Sequence, residues 1–160
     1  MSVVSVAVCG ALSSTVQTSV LTRVNRESMT ALDSAHATLE AMQATAFSDI
    51  FATFNADPDD DPSGAGTAPG SGFVVPGLDA QAGDADGFCG AIVFPSEPQL
   101  REDVVMPALG MPRDLDADGA IDSADHAGDY LILPVIVRVA WTGASGNRDI
   151  ELQTVLCARN

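Results

Sequence analysis

Residues 114–125 read Asp-Leu-Asp-Ala-Asp-Gly-Ala-Ile-Asp-Ser-Ala-Asp, and their spacing carries the clearest chemistry in the chain. Asp114, Asp116 and Asp118 occupy positions 1, 3 and 5 of a twelve-residue run, Gly119 is at 6, Ala120 at 7, Ile121 at 8, Asp122 at 9 and Asp125 at 12. Alternate aspartates of such a run converge on one hard cation, position 7 offers a backbone carbonyl, and the glycine permits the sharp turn. The pattern predicts a Ca²⁺ site built from Asp114, Asp116, Asp118, Ala120, Asp122 and Asp125. Five carboxylates within twelve residues repel one another without a cation; the bland alternative is an acidic surface turn. Asp84-Ala-Asp86-Gly87 repeats part of the pattern, with Asp79 upstream, but has no closing acid.

Other chemistries find less support. Cys89 and Cys157 both fall in strand candidates and are a disulfide pair if those strands are neighbours, with two separate thiols as the alternative. Cys9, in the apolar N-terminal stretch, reads as a small hydrophobe. Neither CxxC nor CxxH spacing occurs for zinc, and His36 and His126 are lone. There is no GxSxG, no HExxH and no cysteine with an evident histidine partner, so an enzyme is not expected.

The charge belongs to the same region as the loop. The 160 residues carry 7 Lys+Arg, all arginine, against 22 Asp+Glu, for a net charge of -15. Residues 57–129 hold 16 of those acids and only Arg101 and Arg113. This balance disfavours nucleic acid, which needs a basic stripe, and 46% hydrophobic residues disfavour global disorder. Asp57, Asp59, Asp60 and Asp61 read as a solvated run that keeps residues 56–72, rich in Pro and Gly, an open loop.

Two kinds of element must position the loop. Residues 1–22 carry no charge, and no Pro or Gly interrupts residues 11–55, which predicts one long helix to about Ala46. Its packed stripe is read as Leu21, Val24, Ser28, Leu32, Ala35, Leu39, Met42 and Ala46, followed by a short helix at Ile50, Phe51 and Phe54 capped by Ser48 or Asp49. Strands are expected at 73–75, 88–94, 130–141 and 150–157, the last two joined by a turn at 143–148. Leu131, Leu133, Val135, Val137, Val139 and Trp141 share one face of the third, where Pro134 predicts an edge strand or a bulge. The order is α+β: a helical part, 1–55, then a β-rich head, 56–160.

With these residues in view, the chain resembles the type IV pilin-like superfamily, particularly minor pilins and minor pseudopilins of type II secretion. The likeness lies in MSVVSVAVCGALSS running into RVNRESMTALDSAHATLEAMQ, then an irregular loop, then the closing strands YLILPVIVRVAW and RDIELQTVLCAR. The family's basic leader, Gly cleavage site and early Phe and Glu do not occur in this sequence, and Met1 aligns partway along the family's membrane helix. The resemblance implies a long helix packed on a small antiparallel sheet and a structural, non-catalytic role. It implies other pilin or pseudopilin subunits as partners through the N-terminal helix, and a membrane contact through that helix at full length. It also implies the bacterial inner membrane, with a periplasmic or extracellular head. Calcium in a head loop would hold irregular structure in place. The acidic loop alone is similar to the dockerin type, where Asp closes position 12; this leaves a secreted calcium-dependent protein-binding module as the second reading.

Overall fold

The computed structural model describes residues 2–158, with side chains from Thr18 to Ala158. The chain is α+β: one long helix, α1 (Ser2–Ala44), packs against a four-stranded antiparallel sheet. A 3₁₀ turn (Phe47–Asp49) leads into the short helix α2 (Ile50–Phe54), whose Ile50, Phe51 and Phe54 are all buried. The strands β1 (Gly72–Phe73), β2 (Gly90–Val93), β3 (Ile132–Gly143) and β4 (Gly146–Cys157) follow one another across the sheet in chain order.

The β3–β4 hairpin pairs continuously from Ile132↔Cys157 to Gly143↔Gly146. The apolar positions of β3 explain its role: Leu133, Val135, Val137, Val139 and Trp141 are wholly buried beneath α1 and the loops, and Pro134 and Ile136 on the opposite face are buried as well. At about 25 cal/mol per Å² of apolar surface, this ladder is a major source of the head's stability. Pro134 sits in an interior strand without a bulge, at a stretch that is locally an edge. Strand β2 pairs only with Ile136–Val139, so Pro134 is flanked on one side alone and its missing N–H breaks no β2–β3 ladder bond.

The packed face of α1 keeps Ala35, Leu39 and Met42 of the expected stripe and departs from it at Leu21 and Leu32. Ala31, Ala35 and Met42 are buried together with Glu27, while Leu21 and Leu32 are exposed. Small side chains at Ala31 and Ala35 allow close approach, Leu39 and Met42 pack on the core nearer the end of the helix, and Leu21 and Leu32 turn outward. Tyr130 ties α2 to the sheet: its hydroxyl accepts from Phe51 N–H at 3.2 Å and donates to the Phe47 carbonyl, with the Phe47 ring 5.0 Å away.

The 56–72 segment is closed by its aspartates instead of held open. Asp57 accepts from Asp59 N–H, Asp60 from the Asn55 amide and Asp61 from Ala68 N–H. Cys89 and Cys157 are free thiols, which corrects the disulfide pairing. The Cys89 carbonyl bonds Ala140 N–H, whereas Cys157 pairs with Ile132. Eight residues of β3 separate those points, about 26 Å at ~3.3 Å per residue, far beyond disulfide reach. Cys9 and the other residues ahead of Thr18 lie outside the residues whose side chains are described.

Candidate metal centre

The acidic run lies in the irregular connection between a 3₁₀ turn (Pro107–Leu109) and β3. Its aspartates build the local turns themselves. Asp114 accepts from Ala117 N–H at 2.6 Å and from Gly119 N–H at 2.9 Å, wrapping the loop around one carboxylate. Asp116 accepts from Asp118 N–H at 3.0 Å, Asp118 from Ala120 N–H at 2.7 Å and Asp122 from Ala124 N–H at 2.6 Å. Gly119 has φ 91°, in the left-handed region, which explains a glycine at position 6.

Oxygens of Asp114, Asp116 and Asp118 lie within 4.8 Å of one another, so positions 1, 3 and 5 converge. Oxygen ligands converging from alternate residues suit a hard divalent cation. Asp122 and Asp125 are not part of that cluster. Asp122 turns toward His126, 3.3 Å from Nε2. Asp125, at position 12, is engaged elsewhere: its Oδ1 accepts from Leu100 N–H at 3.0 Å and Ala127 N–H at 3.1 Å. Ala120 and Ile121 are exposed, so the loop packs no hydrophobic side chain at position 8. Near Asp84 and Asp86, Asp86 instead caps the turn into β2 through Phe88 N–H, and no metal-ligating group forms there among the described residues.

A second cluster shares Asp116. Glu102, Asp116 and His126 bring ligating atoms within 4.8 Å of one another, with Glu102 and His126 buried. His126 faces carboxylates on both sides: Nδ1 is 3.2 Å from Asp129 and 3.6 Å from Asp116, and Nε2 is 3.9 Å from Glu102. Burial pushes its pKa down, but hydrogen bonds to Asp122 and Asp129 and the charges of Glu102 and Asp129 outweigh it and hold it above the usual histidine value. Asp122 is held below the usual carboxylate range, first by the Ala124 N–H and then by His126.

Neither Glu102 nor His126 belongs to the spacing pattern. His126 stands immediately after the run and is legible as its neighbour; Glu102, twelve residues before Asp114, gives no local signal. Among the described residues no helix is long and apolar enough to cross a membrane. No protein-family model matches this chain, and no curated protein or solved structure matches it either.

Proposed function

We propose that this chain is a structural subunit of the minor pilin or pseudopilin type, with a head whose acidic loop is stabilised by calcium. The observation that supports the loop reading is the convergence of Asp114, Asp116 and Asp118 on one volume, together with Gly119 at the turn. The subunit reading is supported by a long helix whose buried described residues run only from Glu27 to Met42, while every described residue from Thr18 to Arg23 is exposed. A helix that projects beyond its own core is suited to pack against copies or neighbouring subunits in a fibre. Residues 2–19, rich in Ser, Thr, Ala and Gly, favour close helix approach. A dockerin-like module is less well supported, because the acidic run is flanked by a 3₁₀ turn and a strand and not by helices.

Calcium binding is tested by thermal unfolding in excess Ca²⁺ against EDTA. Saturation at about 100 Kd contributes about 2.7 kcal/mol, which raises Tm by about 5–10 °C for a chain of this size. Asp114→Ala combined with Asp118→Ala removes the increment. An identical midpoint in Ca²⁺ and EDTA overturns the calcium reading. For the fibre reading, the coding sequence upstream of Met1 is decisive: an in-frame basic leader ending in Gly, followed by Phe and then Glu, supports it, and a complete secretory signal sinks it.

A further inference from the structure

We infer that Glu102 is the positioning residue of the acidic loop, a buried carboxylate outside the twelve-residue run that ties its beginning to its ninth position. This rests on the loop's being a calcium site. Glu102 is 1% exposed. Its Oε1 accepts from Leu115 N–H at 2.5 Å and Asp116 N–H at 3.4 Å, and its Oε2 accepts from Asp122 N–H at 3.3 Å. One carboxylate thus spans positions 2, 3 and 9 of the run.

The residues around Glu102 act as a strap in the same sense. Asp103 N–H donates to the Asp122 carbonyl at 3.1 Å, and Arg113 N–H donates to the Glu102 carbonyl at 3.2 Å. Two residues before Glu102, Leu100 N–H donates to Asp125 and the Leu100 carbonyl accepts from His126 N–H at 2.8 Å. A loop of this type normally gains its rigidity from a helix at each end. Here the segment 100–103 crosses both ends and supplies that constraint. Because ordering a loop at the moment of binding costs affinity, a loop already fixed binds its ion more tightly.

Asp125 is then a structural acid, its Oδ1 held by Leu100 and Ala127 N–H groups. An asparagine there keeps an oxygen for both donors. A glutamine at 102 cannot do the same, since its NH₂ would face a backbone N–H on one side.

The test is calcium titration calorimetry on the full chain at 25 °C, with Tb³⁺ luminescence lifetimes to count ion-bound waters. Glu102→Gln is expected to weaken Ca²⁺ binding at least 10-fold, without adding a bound water at Tb³⁺ saturation. Asp125→Asn is expected to stay within 3-fold of the unaltered chain. Val139→Ala, remote on β3, serves as a destabilised control that keeps its affinity. Glu102→Gln binding within 3-fold of the unaltered chain overturns the inference alone. So does an added water, which would make Glu102 a ligand, or an equal weakening in the Val139→Ala control. Failure of the unaltered chain to bind Ca²⁺ overturns the calcium reading, and this inference with it.

Discussion

At the scale of single residues, the carboxylate of Glu27 joins α1 to the β3–β4 hairpin. Both of its oxygens lie within hydrogen-bond distance of Ala144 N–H, at 3.3 and 3.1 Å, and Arg23 Nε donates to it from one turn earlier at 3.0 Å. Trp141 Nε1 is buried beside it and is the one such side-chain atom without a hydrogen-bond partner among the described residues. The hairpin approaches so closely that a methyl group on Gly143 would collide with the Glu27 carboxylate and stand 2.9 Å from Trp141 Nε1. Gly143→Ala therefore lowers Tm by prising the hairpin from the helix, and heat denaturation reads it directly. Burial pushes the Glu27 carboxyl up, but the Ala144 N–H and Arg23 outweigh it and hold it below the usual range. A depressed carboxyl contributes stability above its unfolded value of about 4.3, and that stability is lost as pH falls through the lower folded value. The Tm gap between the native chain and Glu27→Gln should accordingly be constant from pH 7 to 5 and close as pH falls below about 4. A gap unchanged down to pH 3 would sink this account. Spacing along the chain made Asp114, Asp116 and Asp118 legible, because their convergence is local. Glu27 and Glu102 were not legible, since the backbone N–H groups they bind lie 117 and 13–20 residues away and meet them only in the fold.

At the scale of elements, β3 and β4 were readable for a physical reason: alternation with period 2 admits one buried face, and Leu133 to Trp141 fill it. The long helix was readable as an element and only in part in its orientation. Ala35, Leu39 and Met42 of the expected stripe pack on the core, whereas Leu21 and Leu32 face outward and Ala31 is buried instead, because β3 already fills the space beneath with large side chains. Volume, and not hydrophobicity alone, decided which face packs. Ala35→Leu is therefore expected to cost about 1–3 kcal/mol by overpacking. Leu32→Ala, at a position 39% exposed, is expected to cost less than about 1 kcal/mol. Urea unfolding of both variants compares them, and a larger loss at Leu32 would contradict the observed face. Of the aspartates of 57–61, Asp59 and Asp60 are exposed as their charge predicts, but they do not hold the segment open. Charge predicts solvation, but an Asx side chain also caps nearby N–H groups, and here that bonding folds the segment back on itself.

At the scale of the whole molecule, the net charge of -15 and the long helix divide between two regions. Most of the acidity lies in the connections of the head, where aspartates are spent on turns, on Asn55 and on the cluster around Asp116. The helix contributes to the core only through the stretch that includes Glu27, Ala31, Ala35 and Met42. Ahead of it, Val24 offers its carbonyl to Arg148, whose guanidinium lies 5.6 Å from the Trp141 ring centre. Removing residues 1–20 deletes none of these contacts and leaves 24 helical residues, from 21 to the end of α1 at Ala44, docked on the sheet. A helix of that length held by tertiary packing does not depend on its free end for stability. The shortened chain is therefore expected to unfold in one cooperative transition, with a midpoint within a few degrees of the full chain, and to run as a monomer in size-exclusion chromatography with light scattering. The rise in Tm proposed for Ca²⁺ should persist in it, because the described bonds of the acidic loop run to residues 100–103. Loss of the cooperative transition would mean that the N-terminal stretch is part of the core, and the division of labour between projecting helix and folded head would fail with it.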